Sequence, residues 1–301
     1  MTGDERRRAL DAIAGEVATC TRCRLHQART KAVPGEGHPD TEVVFVGEGP
    51  GFNEDRQGRP FVGQAGNLLE ELLLRVGWSR KEVFIANVVK CRPPENRDPE
   101  PDEIAACAPF LTRQLEVLDP ALVVTLGRYS MARFNPGAKI SQIHGTYKEP
   151  AANSGAGDAL VYFMYHPAAA LRDSGVKEQS YRDMAGVPAA LTEARARRAA
   201  RRAATSTATP AANEPATPPA TATAGSGMVS EAQAAEDAQL IATSISTSQP
   251  ERAATPAAAP DPTLDPTTST TALDSIPSLE AAIHDAAGDG ETMPTDQLGL
   301  F

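Results

Sequence analysis

The chain has 301 residues and a formal net charge of −10, which at first sight argues against a polyanionic partner. The charge is unevenly placed, however: residues 1–200 hold 26 Lys and Arg against 26 Asp and Glu, while residues 201–301 hold 3 against 13. A neutral first part keeps nucleic acid open as a partner, and the lack of any long apolar run excludes a membrane-spanning helix.

No Phe, Tyr or Trp lies between Tyr181 and Phe301, so that stretch cannot bury enough apolar area to offset its ordering entropy. The expected organisation is a folded domain over 1–200, a disordered Ala/Thr/Pro-rich acidic linker over 201–296, and a short terminal peptide over 297–301. Met1 to Arg8 is charged with no apolar run after it, which predicts a soluble, cytoplasmic protein. In that reducing compartment four cysteines read as metal ligands before disulfides.

Along the folded part, Leu10, Ile13 and Val17 share one stripe of a helix expected from Asp4 to Thr19. A strand follows over Glu42–Gly47. Leu68, Leu69, Leu72, Leu73 and Val76 then mark a second helix, capped by Gly77, before a strand over Val83–Val89. The third helix begins after Asp98 and Pro99 and stops before Pro120, with Pro109 expected to bend it near Cys107. Two more apolar runs, Ala121–Leu126 and Leu160–Tyr165, complete a set of four strands. Strands alternating with helices predict a parallel sheet covered on both faces. Ligands bind at the carboxyl edge of such sheets, where Gly47–Gly51, Asn87–Arg92, Gly127–Arg128 and His166–Pro167 converge.

Cys20, Cys23, Cys91 and Cys107 come from three separate elements with no partner histidine in their spacing, a pattern that fits either an all-cysteine zinc site or a [4Fe–4S] cluster. The strand-end motifs are Gly47-Glu48-Gly49-Pro50-Gly51 with Glu54 and Gly58-Arg59-Pro60-Phe61-Val62-Gly63, Asn87 to Pro94, and His166-Pro167-Ala168-Ala169-Ala170-Leu171. In this order, with these cysteines, they resemble the type 4 uracil-DNA glycosylases over about Ala18 to Arg172. The resemblance implies a three-layer α/β/α sandwich around a four-stranded parallel sheet. It also implies a structural [4Fe–4S] cluster on the four cysteines, and hydrolysis of the N-glycosidic bond of uracil in DNA as the first step of base excision repair.

What it implies residue by residue follows the same motifs. Phe61 stacks on the extruded base and Asn87 reads it, accepting from uracil N3–H and donating to O4, a pattern that cytosine reverses. His166 stabilises charge collecting on O2, with backbone N–H groups of the Gly47–Gly51 loop, including Gly49, beside it. In distant relatives an aspartate orients the attacking water; the corresponding position here is Gly49, which leaves Glu48 and Glu54 as the acidic site residues. DNA is expected to meet Arg59, Lys90, Arg92, Arg128 and Arg172 through phosphates, with Leu171 as an apolar wedge. The basic stretch from Arg195 to Arg202 reads as a solvated helix face.

Gln297, Leu298, Leu300 and Phe301 resemble the peptide by which bacterial repair proteins dock on the replication sliding clamp. A nucleoid-associated monomer with uracil-containing DNA and the clamp as partners is the expectation. Two rivals remain: a relative that crosslinks to the abasic sugar, and a non-catalytic Fe–S adaptor on DNA and clamp. The first carries a nucleophilic histidine after the second strand; Arg92 to Asp98 contains none.

Overall fold

In chain order, the computed structural model describes residues 1–207 as α1 (Gly3–Thr19), β1 (Glu36–Gly37), β2 (Val43–Gly47), α2 (Phe52–Gln57), α3 (Gln64–Arg75), β3 (Phe84–Asn87) and α4 (Pro101–Leu118), then β4 (Leu122–Leu126), α5 (Arg128–Phe134), α6 (Ile140–Ile143), β5 (Tyr147–Lys148), β6 (Leu160–Met164), α7 (Pro167–Ala170) and α8 (Ser174–Thr207). The first seven residues of the expected disordered linker, 201–207, instead continue helix α8, while its remainder, 208–296, and the terminal peptide lie outside the described residues. No described helix is long and apolar enough to cross a membrane.

The helix ends follow the chemistry of their residues. Thr2 and Glu5 form a reciprocal capping box at the start of α1, and Glu100 and Glu103 do the same for α4, where Pro101 takes the first helical position. Gly77, at φ +76°, ends α3 as expected: its N–H bonds Leu74 O at 3.0 Å while Trp78 N bonds Leu73 O at 3.0 Å. Helix α4 runs unbroken through Pro109.

The sheet has six strands in the order β1-β3-β2-β4-β6-β5, not four. The four expected strands form its parallel centre, and β1 and β5 add short antiparallel edges. Each edge strand is two residues long and not buried throughout, too short to leave an alternating apolar signature; short edges also limit unwanted pairing.

Successive side chains of the central strands point to opposite faces, and both faces are apolar. Val44, Val46, Val123, Val161 and Phe163 pack with α1 and α4 residues such as Ile13, Val17, Ile104 and Leu111. Phe45, Ile85, Val124 and Tyr162 pack on the other side with Leu69, Leu72 and Leu73 of α3 and Met184, Val187 and Leu191 of α8. This is a three-layer sandwich with helices on both faces, and it leaves the carboxyl ends of the four parallel strands to open into one cleft.

Candidate active site

A cleft of about 600 Å³ lies across those strand ends. It brings together Glu48, Gly49, Glu54, Phe61, Asn87, His166 and Arg172 of the residues singled out in the sequence. The loops after β2 and β3 are tied side by side, because Val88 N and Val89 N donate to Gly47 O and Glu48 O, each at 3.0 Å.

Phe61 and Asn87 face Gly47 so closely that a Cβ there would come within 2.5 Å of both Asn87 Oδ1 and the Phe61 ring. Glycine is therefore required at position 47 for the two side chains to share the pocket. Asn87 is 1 % exposed, and its Oδ1 finds no hydrogen-bond partner among the described residues. A buried, unpaired amide oxygen in a cleft is costly unless something completes it.

Phe61 has a left-handed backbone, φ +51°, which is unfavourable for a side chain of its size. Its conformation is held from two sides. A Cβ on Gly66 would lie 2.0 Å from Phe61 O, so only glycine lets α3 start there. Arg80 donates to Phe61 O at 2.7 Å, to Pro60 O at 2.6 Å and to Glu36 Oε1 at 2.7 Å. Arg80 and Glu36 carry no sequence signal of this role, since they meet Phe61 only through the tertiary fold.

The His166 ring stacks near Phe61, with centroids 5.7 Å apart and planes 29° apart. As the cap of α7, its Nδ1 accepts from Ala168 N at 3.1 Å, so in the neutral ring the proton sits on Nε2. Burial first, then Arg172, lowers its pKa to about 4, and at neutral pH the ring is uncharged.

The two acidic residues occupy different situations. Glu54 Oε1 accepts from Val62 N at 2.8 Å and Gly63 N at 2.9 Å, fixing the turn that follows Phe61. Glu48 is half-buried on the cleft wall; desolvation, and then the nearby Asp98 carboxylate, raise its pKa to about 7 against the opposing pull of Arg128. Asp98 and Arg128 pair across the cleft rim. Gly49 has no room to become aspartate in place, because a Cβ would lie 2.7 Å from Val89 Cγ2.

Cys20, Cys23, Cys91 and Cys107 line one small cavity beside the cleft with Val17 and Phe110. Cys107 Sγ accepts from Lys90 N and Cys91 Sγ from Arg29 Nη1, each at 3.2 Å. Among the described residues no three Cys, His, Asp or Glu side chains close on a point as ligands of a single ion would. The four sulfurs, drawn from α1's end, the loop after β3 and α4, share an apolar enclosure with donors aimed at two of them.

The basic residues divide. Lys90 is corrected: it is 1 % exposed and its Nζ donates to Asn87 O at 2.9 Å and Gln114 Oε1 at 2.7 Å, so it cannot reach phosphate. Arg59 lies outside the cleft, exposed, and donates two hydrogen bonds to the Glu36 carboxylate at 2.7 and 3.0 Å. Arg92 donates to Asn96 Oδ1 at 2.7 Å; Leu171 is 45 % exposed, next to Arg172 on the rim. Arg195, Arg197 and Arg198 are paired with Glu42, Glu193 and Asp158. Gln297, Leu298, Leu300 and Phe301 lie outside the described residues.

The sequence of the chain matches those of known proteins. The family model "Uracil DNA glycosylase superfamily" matches residues 34–185. A type-4 uracil-DNA glycosylase of Sulfurisphaera tokodaii is 46 % identical over 181 residues, 56 % of this chain and 79 % of that protein. Another, of Saccharolobus solfataricus, is 46 % identical over 189 residues, 61 % and 87 %. The Thermotoga maritima type-4 protein is 52 % identical over 136 residues, 45 % and 71 %. With an α/β/α fold whose strand ends open into one cleft, and with this family match and these relatives, the chain belongs to the uracil DNA glycosylase superfamily, among its type-4 members.

Proposed function

We propose that the cleft receives a uracil turned out of DNA and hydrolyses its bond to the sugar. The observation that carries this reading is the buried, unpartnered Asn87 amide oxygen beside the Phe61 ring. Uracil N3–H completes it, O4 takes the amide N–H, and the ring lies on Phe61. The C1′–N1 bond breaks with both electrons leaving on uracil, whose O2 receives the Nε2–H of neutral His166. Water adds to C1′ and passes its proton to Glu48, while Glu54 keeps the Phe61 turn in shape. The test is alkali-sensitive strand cleavage of a single-uracil oligonucleotide. An abasic product is expected; none from folded, fully loaded protein overturns the reading, and an SDS-stable protein–DNA band points to the crosslinking relative.

Glu48 gives a pH signature. Its carboxylate form is the one that takes a proton, so the rate is expected to rise with pH through about 7, and Glu48→Gln removes that limb. The stability effect has the opposite sign. Folding holds the Glu48 proton more tightly than the unfolded chain does, so stability is lost as pH climbs from the ordinary carboxylate range to about 7. Glu48→Gln is therefore expected to raise Tm at pH 8 and leave it unchanged at pH 4, as thermal melts at the two values would read.

Arg80→Met is expected to weaken binding of free uracil as an inhibitor by about 10-fold, on the order of one charge-assisted hydrogen bond, with Arg80→Lys recovering part of it. Inhibition constants measured beside Tm separate loss of the Phe61 backbone clamp from general unfolding.

Cys20, Cys23, Cys91 and Cys107 are proposed to hold a [4Fe–4S] cluster, which when bound supplies cross-links between α1, the loop after β3 and α4. Protein purified without oxygen is expected to be brown with iron and sulfide in equal amounts; a colourless zinc protein overturns this. Gln297, Leu298, Leu300 and Phe301 are proposed as a docking segment for the sliding clamp, offering one polar and three apolar anchors. Leu300→Ala with Phe301→Ala is expected to abolish clamp binding in a pull-down without changing uracil release, and retained binding excludes this role.

A further inference from the structure

The described residues expose five large apolar side chains, Met1, Phe52, Leu74, Tyr147 and Leu171, and two of these adjoin the cleft lining. Leu171 stands between Ala169 and Arg172, and Phe52 follows Gly51 directly. A lone exposed aromatic is ordinary. The surroundings of Phe52 are not: its ring, 51 % exposed, has the Arg92 guanidinium 5.2 Å and the Arg56 guanidinium 5.6 Å from its centroid. Arg92 is itself held by Asn96, and Pro93 and Asn96 both line the cleft. Phe52 thus stands at the cleft mouth as a half-exposed apolar ring with two guanidinium groups near it, one from its own helix α2 and one from the loop after β3.

That combination is what single-stranded nucleic acid uses: a base lies on the ring and the cations meet its phosphates. Turning one nucleotide out of a strand also unstacks its neighbours, leaving an aromatic base face uncovered next to the flipped position. We propose that Phe52, with Arg56 and Arg92, is a shelf on which a nucleobase adjoining the flipped uridine stacks. This inference rests on the reading of the cleft as a uracil site. The two guanidinium groups favour a polyanion over an apolar peptide as occupant, and the half-exposed flat ring beside them favours a base over a bare phosphate chain.

The experiment is fluorescence anisotropy with a single-stranded oligonucleotide carrying one tetrahydrofuran abasic analogue and no uracil. It compares the full chain with Phe52→Ala, Phe52→Leu and Phe52→Trp. Phe52→Ala and Phe52→Leu are expected to weaken binding by roughly 10-fold, within the range for one base–aromatic stack. Phe52→Trp is expected to hold affinity within about twofold of the parent. Because the side chain is half exposed, the melting temperature of Phe52→Ala should match the parent's, which separates a lost contact from a lost fold. Undiminished binding by Phe52→Ala overturns the shelf; binding by Phe52→Leu equal to the parent overturns stacking and leaves only an apolar wedge. Uracil release by the parent chain, measured alongside, keeps the two readings apart: release with no Phe52 effect removes the shelf alone, and a Phe52 effect without release removes the hydrolase alone.

Discussion

Replacing Asn87 by leucine is expected to reduce kcat/KM for uracil release by on the order of 10³-fold, the largest single effect at this site. Leucine has the same number and branching of side-chain heavy atoms but no polar ones, so the change chiefly removes the amide. Without it, uracil N3–H and O4 enter a pocket that offers them nothing, and two polar groups are left buried at about 2 kcal/mol each. Affinity for the pocket and discrimination against cytosine should fall together, because one amide reads both atoms. Single-turnover rates on uracil and cytosine oligonucleotides are the measurement. An Asn87→Leu protein that keeps the parent's rate on uracil would remove Asn87 from recognition. The tight approach of Gly47 adds a corollary: a Cβ at position 47 meets the same oxygen at 2.5 Å and should damage recognition by displacement.

His166→Ala is expected to cost about 10²- to 10³-fold in the single-turnover rate, as loss of one preorganised donor to a developing anion does elsewhere. The pH profile carries the distinguishing information. With a pKa lowered to about 4 by burial, the ring is neutral through the physiological range. No activity limb near pH 6.5 should be traceable to it, and the rise through about 7 should survive in His166→Ala because it belongs to Glu48. Stability shifts the other way from Glu48: a histidine kept neutral by folding contributes stability that is present above its unfolded pKa and lost as pH falls toward 4. His166→Ala should therefore be less acid-sensitive between pH 6.5 and 4 than the parent. A histidine-dependent activity limb near neutrality would instead mean that the cation is the working form.

What could be read from the sequence was whatever repeats locally. The four central strands are unbroken apolar runs because both their faces are covered, and the glycine, asparagine and histidine motifs sit at strand ends where chain direction alone places them together. The edge strands Glu36–Gly37 and Tyr147–Lys148 were invisible, being two residues each with pairing supplied by their neighbours. Lys90 was misread for a related reason. A lysine just past a strand end ordinarily reaches solvent, but this one turns inward to Asn87 O and Gln114, a course set by α4 packing over it. Arg80 and Asp98 escaped notice since their parts arise from distant partners: Arg80 closes on Phe61 and Glu36, and Asp98 acts on Glu48 through space.

The buried Lys90 has a consequence for how faults spread. Its ammonium grips the backbone carbonyl of Asn87 while its own N–H is bound to Cys107 Sγ at 3.2 Å, and Cys91 is the next residue. The amide proposed to tell uracil from cytosine and Cys91 thus share one five-residue length of chain, which Lys90 N also ties to Cys107 of α4. Oxidation of those thiols would not stay a local scar; it would be felt as misreading or silence at the base pocket.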